Sequence, residues 1–448
     1  VSNDDQHTWT KLTQRELDER MDSHELFATG QMGGIRANLK FTDLSYQDMS
    51  NHDLRGVDLT GALLCHTKIR GSDLSDSNLF GADLRHSILI GAKLNRADLR
   101  AACLSGANMT GAELIEADMR EGTLVHARKV GGDIEPVTEL TASPGIEQAI
   151  ARGANMTGAR VTNSFIVQTD LTDCIMKNAK FIRANLSLSN LTGCDLEGAD
   201  LSNANLSGAI FHGASFSGTV LDHADLTGAD LVGAVFDNMN FAKVDLKDAR
   251  MVKMLDQLDK TLQIILREHN EWVDSNGQKG NRANLSLTNL SGQDLGRINL
   301  SAADLSYSVM SEANLDRAEL IMADMSFVDL RNATLDQAVM RGVKLQRATL
   351  DGASLVGVDL SEVMLASRAG GGEWRASLDH ARARGARFNG ANMRNGDYAS
   401  VNFEGADLRD ANLSGSLLRD ANFTDADLRG ANLNNTDKRG SIGLEDVV

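Results

Sequence analysis

Proline is nearly absent: the 448 residues hold two, Pro136 and Pro144. Aromatic side chains make up only 4%, well below an ordinary globular composition. Cysteine is scarce as well, four in all and none in a CxxC pair, which excludes a disulfide-rich scaffold and a zinc ribbon. There is no run of 18 apolar residues, so no membrane-spanning helix is expected. The first residues, VSNDDQHTWT, have neither a basic region nor an apolar stretch and do not read as a secretory signal. Positive charge is short too: 45 Lys+Arg against 62 Asp+Glu give a net charge of −17, which argues against binding to nucleic-acid phosphates. These absences point to a cytoplasmic, bacterial type of chain without a membrane span.

What is present is a period of five. From Leu39 an apolar residue recurs at every fifth position to Leu124, for 18 pentads. The frame resumes at Met156 and runs to Met251 for 20 pentads, then from Leu285 to Leu365 for 17, then from Phe388 to Leu433 for 10. Leu378 and Ala383 fit the last frame but also suit a helix. The 65 pentads take in 325 residues. Self-similarity at a fixed short period is the signature of a solenoid.

The other pentad positions suggest the geometry. Two places before the apolar centre the residue is small, as at Ala82, Ala92, Ala97, Ala107, Ala112, Ala117, Ser72 and Ser77. Between them stands Asp or Asn, as at Asp83, Asp98 and Asn108. Residues two apart on extended backbone share a face. The small residue and the centre therefore point inward and the other three outward. Four such sides would close a square coil of twenty residues. Centres such as Leu84, Leu99, Leu206 and Leu315 should be buried. Trp9, Trp272 and Trp374 fall outside the repeats, and a lumen of Leu and Ala has no room for indole. Cys174 and Cys194 take the small inward position, Cys65 and Cys103 face out, and all four are expected as unpaired thiols.

The pattern resembles the pentapeptide-repeat family, whose motif is A(D/N)LXX, over about three-quarters of the chain. GADLRHSILIGAKLNRADLR at 81–100 is close to that motif. The resemblance implies a right-handed quadrilateral β-helix, an all-β solenoid.

The chain starts this pattern twice. RANLKFTDLSYQDM at 36–49 and RANLSLTNLSGQDL at 282–295 agree at nine of fourteen positions, including Gln47 and Gln293 where a small residue is usual. Upstream, Leu17, Met21, His24 and Phe27 match Leu262, Leu266, His269 and Trp272, with spacings that place each set on one helical face. Thr13–Glu16 reads as a capping box. Glycines follow each helix, Gly33 in one copy and Gly277 and Gly280 in the other. A helix laid over the first coil would protect its unpaired edge. The expected organisation is a capping helix in 1–35 and a first β-helix in 36–251, interrupted at 129–153. A helical linker and cap follow at 252–281, then a second β-helix in 282–440, interrupted near 366–376, and a tail at 441–448. The linker helix is expected over 252–273, with Met254, Leu255 and Leu258 closing the end of the first stack. The whole reads as an internal duplication.

No catalytic constellation emerges. His24 and His269 suit hydrogen bonds within the caps, and His52 sits at an inward position. GGGE at 370–373 lacks the strand, lysine and helix of a phosphate loop. The aspartates are spread along walls rather than gathered as in a calcium loop. No catalytic residue, metal, cofactor or direct nucleic-acid contact is expected. The acidity is diffuse, −4 over 156–251 and −4 over 283–369, against 0 over 370–440. Arg375, Arg382, Arg384, Arg387, Arg394, Arg409, Arg419 and Arg429 balance that last run.

The leading reading is a non-catalytic protein-interaction or scaffold protein with an unidentified protein partner; homo-oligomerisation is open. Contacts are expected on the interruptions, through Asp133, Glu135, Glu139, Glu147, Trp374 and Arg375. Trp374 serves either as an anchor for the partner or as packing against the wall. A resemblance-based alternative is a DNA-mimic modulator of a type II topoisomerase such as gyrase. The thin spread of charge and the neutral last run weigh against it. A further alternative is a solenoid module of a larger protein whose functional domain lies outside this chain.

Overall fold

The computed structural model describes residues 9–121, 125–127, 134–136, 145–164, 166–236, 241, 243–365 and 372–444. Asp and Asn at the position before each centre form parallel bridges to the residue 20 further on, as in Asn38↔Asp58, Asp58↔Asn78 and Asn78↔Asp98. One coil therefore takes four pentads. The chain divides into two compact units, Val1–Arg250 and Met251–Val448. Each is a stack of such coils around its own core of Leu, Met, Phe and Ala.

The pentad repeats because it satisfies all five of its backbone N–H groups, and 82–86 shows how. Ala82 donates to Leu79 O at 2.9 Å, closing a β-turn, and Asp83 donates to Ala62 O at 2.9 Å in the coil before. Leu84 and His86 donate to Cys103 O and Ser105 O at 2.8 and 3.1 Å in the coil after. Only Arg85 N–H has no backbone acceptor, and Asp83 Oδ1 takes it at 3.2 Å. This is why Asp or Asn precedes the centre: its side chain turns back on the N–H two residues on. The fifth residue has positive φ, +62° at Gly61 and +57° at His66, as the third residue of a type II turn requires. The centres Leu84, Leu99, Leu206 and Leu315 are all buried.

The first coil has no coil before it, so other groups take its N–H bonds. Strand β1, Thr10–Lys11, pairs in parallel with β2, Thr42–Asp43. Helix α1, Gln14–Ala28, begins at a Thr13–Glu16 capping box and buries Leu17, Met21 and His24. Its side chains supply acceptors: Gln14 Oε1 for Asp48 N–H at 2.8 Å, Glu25 Oε1 for Asp53 N–H at 3.2 Å, and His24 Nδ1 for Ala37 N–H at 3.0 Å. Gln47 donates to Leu12 O at 2.9 Å. Phe27, placed by its spacing on the buried face, is 46% exposed.

The second unit repeats the arrangement. Lys253 bridges Thr288, and helix α2, Leu262–Asp274, buries Leu262 and His269. His269 Nδ1 accepts from Ala283 N–H at 3.0 Å. The continuous helix expected over 252–273 is two pieces, a short 3-10 turn at Leu255–Gln257 and α2. Leu255 and Leu258, expected at the end of the first stack, pack against the core of the second unit.

Both interruptions have other bounds than the sequence suggests: the ladder resumes by Gly145 in the first, and the second begins by Val363. Cys103 bridges Gly145 and Asn108 bridges Ile150, 42 residues on in each case. Residues 145–153 are thus coil, with Ile146 and Ala151 as buried centres. Lys344 bridges Ser377, so Ala376, Leu378 and Ala383 are buried coil residues and not helix. Leu365, counted as a centre, lies in a strand outside the ladder. Cys103, expected to face out, is buried at the pre-centre position.

The two histidines make attachment of α1 and α2 sensitive to acid. A protonated imidazole has no acceptor nitrogen for Ala37 or Ala283 N–H. Burial holds both His24 and His269 below the ordinary histidine pKa. Near-neutral pH therefore leaves them unprotonated in the fold. As pH falls below about 6.5 the unfolded chain binds the protons first, so stability is full above that value and is lost through the folded-state pKa. The melting temperature should fall between pH 7 and pH 5, and His24→Gln with His269→Gln should flatten that dependence. An identical pH slope in the double variant would contradict it.

Candidate functional site

Many of the carboxylates that give the chain its charge are engaged within it. Where Asp precedes the centre and Arg follows it, the pair closes on itself: Asp83–Arg85, Asp98–Arg100, Asp118–Arg120, Asp407–Arg409 and Asp427–Arg429 lie at 2.6–2.7 Å. In the same triplets Asp Oδ1 also accepts the Arg backbone N–H. The Arg429 guanidinium holds Asp427 at a pKa of about 2. The sequence reading missed these pairs, although each is legible as an Asp-Leu-Arg or Asp-Met-Arg triplet.

Both interruptions carry antiparallel hairpins. In the first, β3, Val125–Ala127, pairs with β4, Ile134–Pro136, placing His126 opposite Glu135. Asp133 and Glu139 lie outside the described residues. Glu147 is not part of this hairpin. It is a half-buried coil residue whose carbonyl accepts from Gly106 N–H at 2.9 Å.

In the second, β5, Val363–Leu365, pairs with β6, Gly372–Trp374. Trp374 closes the hairpin onto the wall. Its indole N–H donates to Gly342 O at 2.8 Å, and Lys344 Nζ lies 5.9 Å from the ring. The wall leaves room for the ring because position 342 is glycine: a Cβ there would stand 2.7 Å from Trp374 Cδ1. The side chain of Trp374 remains 37% exposed. Arg375 pairs with Glu373 at 3.6 Å, and both are exposed. Of the six expected contact residues, the described structure brings together Trp374 and Arg375. Trp9 makes a parallel attachment in the first unit, donating to Gly61 O at 2.7 Å.

A groove of about 390 Å³ on the first unit is lined by Arg96, Glu116, Asp118, Gly158, Arg160 and Lys180. Arg160 and Lys180 are ladder neighbours, and neither forms an ion pair among the described residues. Cations at the Asp/Asn position in consecutive coils were the available signal, and the sequence reading did not use it.

Two of the thiols, Cys65 and Cys194, are held protonated. All four are unpaired. Cys174 and Cys194 lie 2.8 and 3.0 Å from Ala151 O and Leu171 O. Burial pushes the Cys65 thiol up to about 12 and raises Cys194 as well, so neither ionises near neutrality. Among the described residues no three His, Cys, Asp or Glu side chains gather as a metal site. No helix among them is long and apolar enough to cross a membrane.

A family model described as Pentapeptide repeats matches overlapping segments across 37–128 and 154–253, and 283–320, 323–361 and 399–437. HetL, a pentapeptide repeat protein involved in heterocyst differentiation regulation from the cyanobacterium Nostoc sp., is 23% identical. That match covers 66% of this chain and 92% of HetL, with a TM-score of 0.26. Rfr23, a pentapeptide repeat protein from the cyanobacterium Cyanothece, is 24% identical over 35% of this chain and 88% of its own, with a TM-score of 0.20. QnrB1, a plasmid-mediated fluoroquinolone resistance protein, is 17% identical over 43% of this chain and 90% of its own, with a TM-score of 0.22. No curated protein matches the chain.

Proposed function

The chain belongs to the pentapeptide-repeat family, a right-handed β-helix solenoid, and from that premise we propose that it is a non-catalytic scaffold that binds a protein partner through its two interruptions. We read each coil as four-sided, α1 and α2 as caps, and the two units as tandem copies of one β-helix in a cytoplasmic bacterial protein. The observation that carries the reading is the hairpin β5–β6, fixed to the wall by Trp374 and offering exposed Met364, Glu373 and Arg375. Regular walls repeat every 20 residues and give a partner little to tell one coil from the next. A hairpin breaks that degeneracy, and an anchored one needs less ordering on binding. Self-paired carboxylates such as Asp83 and Asp427 favour this reading over mimicry of duplex DNA, whose phosphates stand unpaired.

Deleting each interruption back to an unbroken frame tests the proposal, joining residue 121 to 144 in one variant and 362 to 376 in the other. The shortened proteins should keep their melting temperature and lose the partner co-purified from native cells. Retention of that partner at unchanged affinity would move the site to a wall.

A further inference from the structure

The two copies of the cap share a helix and a return loop, the second loop one residue longer, and they differ in surface. After α1 the chain folds back: Gln31 N–H donates to Leu26 O at 2.7 Å, and Ile35 N–H to Ser23 O at 3.1 Å. A Cβ on Gly34 would stand 2.1 Å from Phe27 N, so the loop lies directly on the helix. After α2 the chain also folds back, one residue later. Gly277 N–H donates to Trp272 O at 2.7 Å, Asn281 N–H to Glu268 O at 3.1 Å, and a Cβ on Gly280 would stand 2.1 Å from Glu268 O.

On this common frame the first copy presents Leu26, Phe27, Met32 and Ile35, which are 38, 46, 99 and 70% exposed. The second copy has Glu271, Trp272, Gln278 and Asn281 at the corresponding places. Its polar groups are partly satisfied within the cap. Asn281 Nδ2 donates to Glu268 Oε2 at 2.9 Å, and Lys260 pairs with Glu268 at 2.7 Å. The fold therefore does not require apolar side chains at three of these four places. Four large apolar groups exposed on the end of one helix and its return loop mark an interaction surface.

The surroundings favour a cationic occupant. Helix α1 carries Glu16, Asp18, Glu19, Asp22 and Glu25 against Arg15 and Arg20. Asp22, one turn before Leu26, is exposed and has no ion pair among the described residues. The patch sits at the helix C-terminus, where the dipole is negative and the last turn holds no basic residue. Of the nearby arginines, Arg36 donates to Gly56 O at 2.6 Å, and Arg55 pairs with Asp53 at 2.6 Å while donating to Ala28 O at the end of α1 at 3.4 Å, so Asp22 is the carboxylate left to a partner's cation. A second copy of this chain would set acid against acid.

We infer that the cap of the first unit is a docking surface for a basic amphipathic segment of a partner protein, its apolar face on Leu26, Phe27, Met32 and Ile35 and its cations toward Asp22. This rests on the reading of the protein as a scaffold but uses a surface separate from the two interruptions.

The probe is a synthetic helix of about 18 residues, about five turns, with Leu along one face and Lys along the other. A companion peptide has Glu in place of Lys. The full chain should bind the Lys peptide, more weakly as salt rises, and not the Glu peptide. The variant Leu26→Glu/Met32→Gln/Ile35→Asn gives the first cap the surface of the second. It should keep its melting temperature and bind at least about tenfold more weakly, a change of about 1.4 kcal/mol. Met32→Gln alone, at a side chain almost wholly in solvent, leaves folding untouched and should weaken binding about threefold. Four results overturn the inference: no binding of the Lys peptide, equal binding by Met32→Gln and the unsubstituted protein, equal binding of the Glu peptide, or self-association that Met32→Gln abolishes. None of them bears on the hairpin deletions, so the two readings fail separately.

Discussion

Leu99→Asp should abolish the cooperative thermal transition of the first unit, while Arg100→Ala, one residue on, should leave it nearly intact. Leu99 is 2% exposed and belongs to a pentad whose ladder partners are Asn78 and Asp118. Above and below it in the lumen stand Leu79 and Met119, also buried. A carboxylate at this centre has no partner and no water, so it must be protonated or the coil must open. Truncation to Ala removes the side chain without adding charge and should cost about 2–5 kcal/mol through the cavity it leaves. Because coils contact only their neighbours, a break in mid-stack also uncouples those on either side. Arg100 is half-exposed and its pair with Asp98 is worth about 0–1 kcal/mol. Melting followed by circular dichroism separates the three variants. A normal transition in Leu99→Asp would overturn the register for every centre assigned by the period of five.

That register was legible because the period is rigid. Each centre has to fill the same lumen, so Leu, Met, Ile or Phe recurs at a fixed step, and a slip of one residue would turn it to solvent. The role of the preceding Asp or Asn was visible as a preference but not as a reason; the reason needs the count of five N–H groups, one of which lacks a backbone acceptor. The frame was lost where the sequence departs from its own rule. At 145–153, Gly145 stands at the Asp/Asn position and Ala151 at a centre. At 381–385, ARARG has Ala383 as its centre and reads equally well as helix. Bridges to Cys103, Asn108 and Thr349 settle both by pairing, which no local pattern contains.

The hairpins were harder to see. Val125–Ala127 and Gly372–Trp374 are three residues each, too short for alternation to be read, and their partners lie across segments of unrelated composition. The attachment of Trp374 depends on Gly342, a residue 32 positions earlier that looks like any other turn glycine. The contrast between the two caps was present in the sequence, at Leu26 against Glu271 and Ile35 against Asn281. Only the exposure of the first set gives that contrast its meaning.

Met21→Asp should release α1 and turn the first coil into a sticky edge. Met21 is fully buried in the core that includes Leu39, Leu44, Met49 and Leu54 of that coil. Losing its packing alone should cost about 2–5 kcal/mol, and an unpaired carboxylate adds to that. The larger consequence is topological. With α1 displaced, Ala37, Asp48 and Asp53 lose the acceptors His24, Gln14 and Glu25. The coil then shows unpaired N–H groups around an apolar core, the template on which another chain can add. Association should therefore rise with concentration in Met21→Asp, and light scattering across a dilution series would register it. Gln14→Ala with Glu25→Ala separates the two causes. It removes side-chain acceptors but leaves the helix packed, so it should lower stability by about 1–3 kcal/mol per unsatisfied group at most without promoting association. If Met21→Asp stays at the mass of the unsubstituted protein at every concentration, α1 is not what keeps the first edge closed, and strand β1 alone must do so.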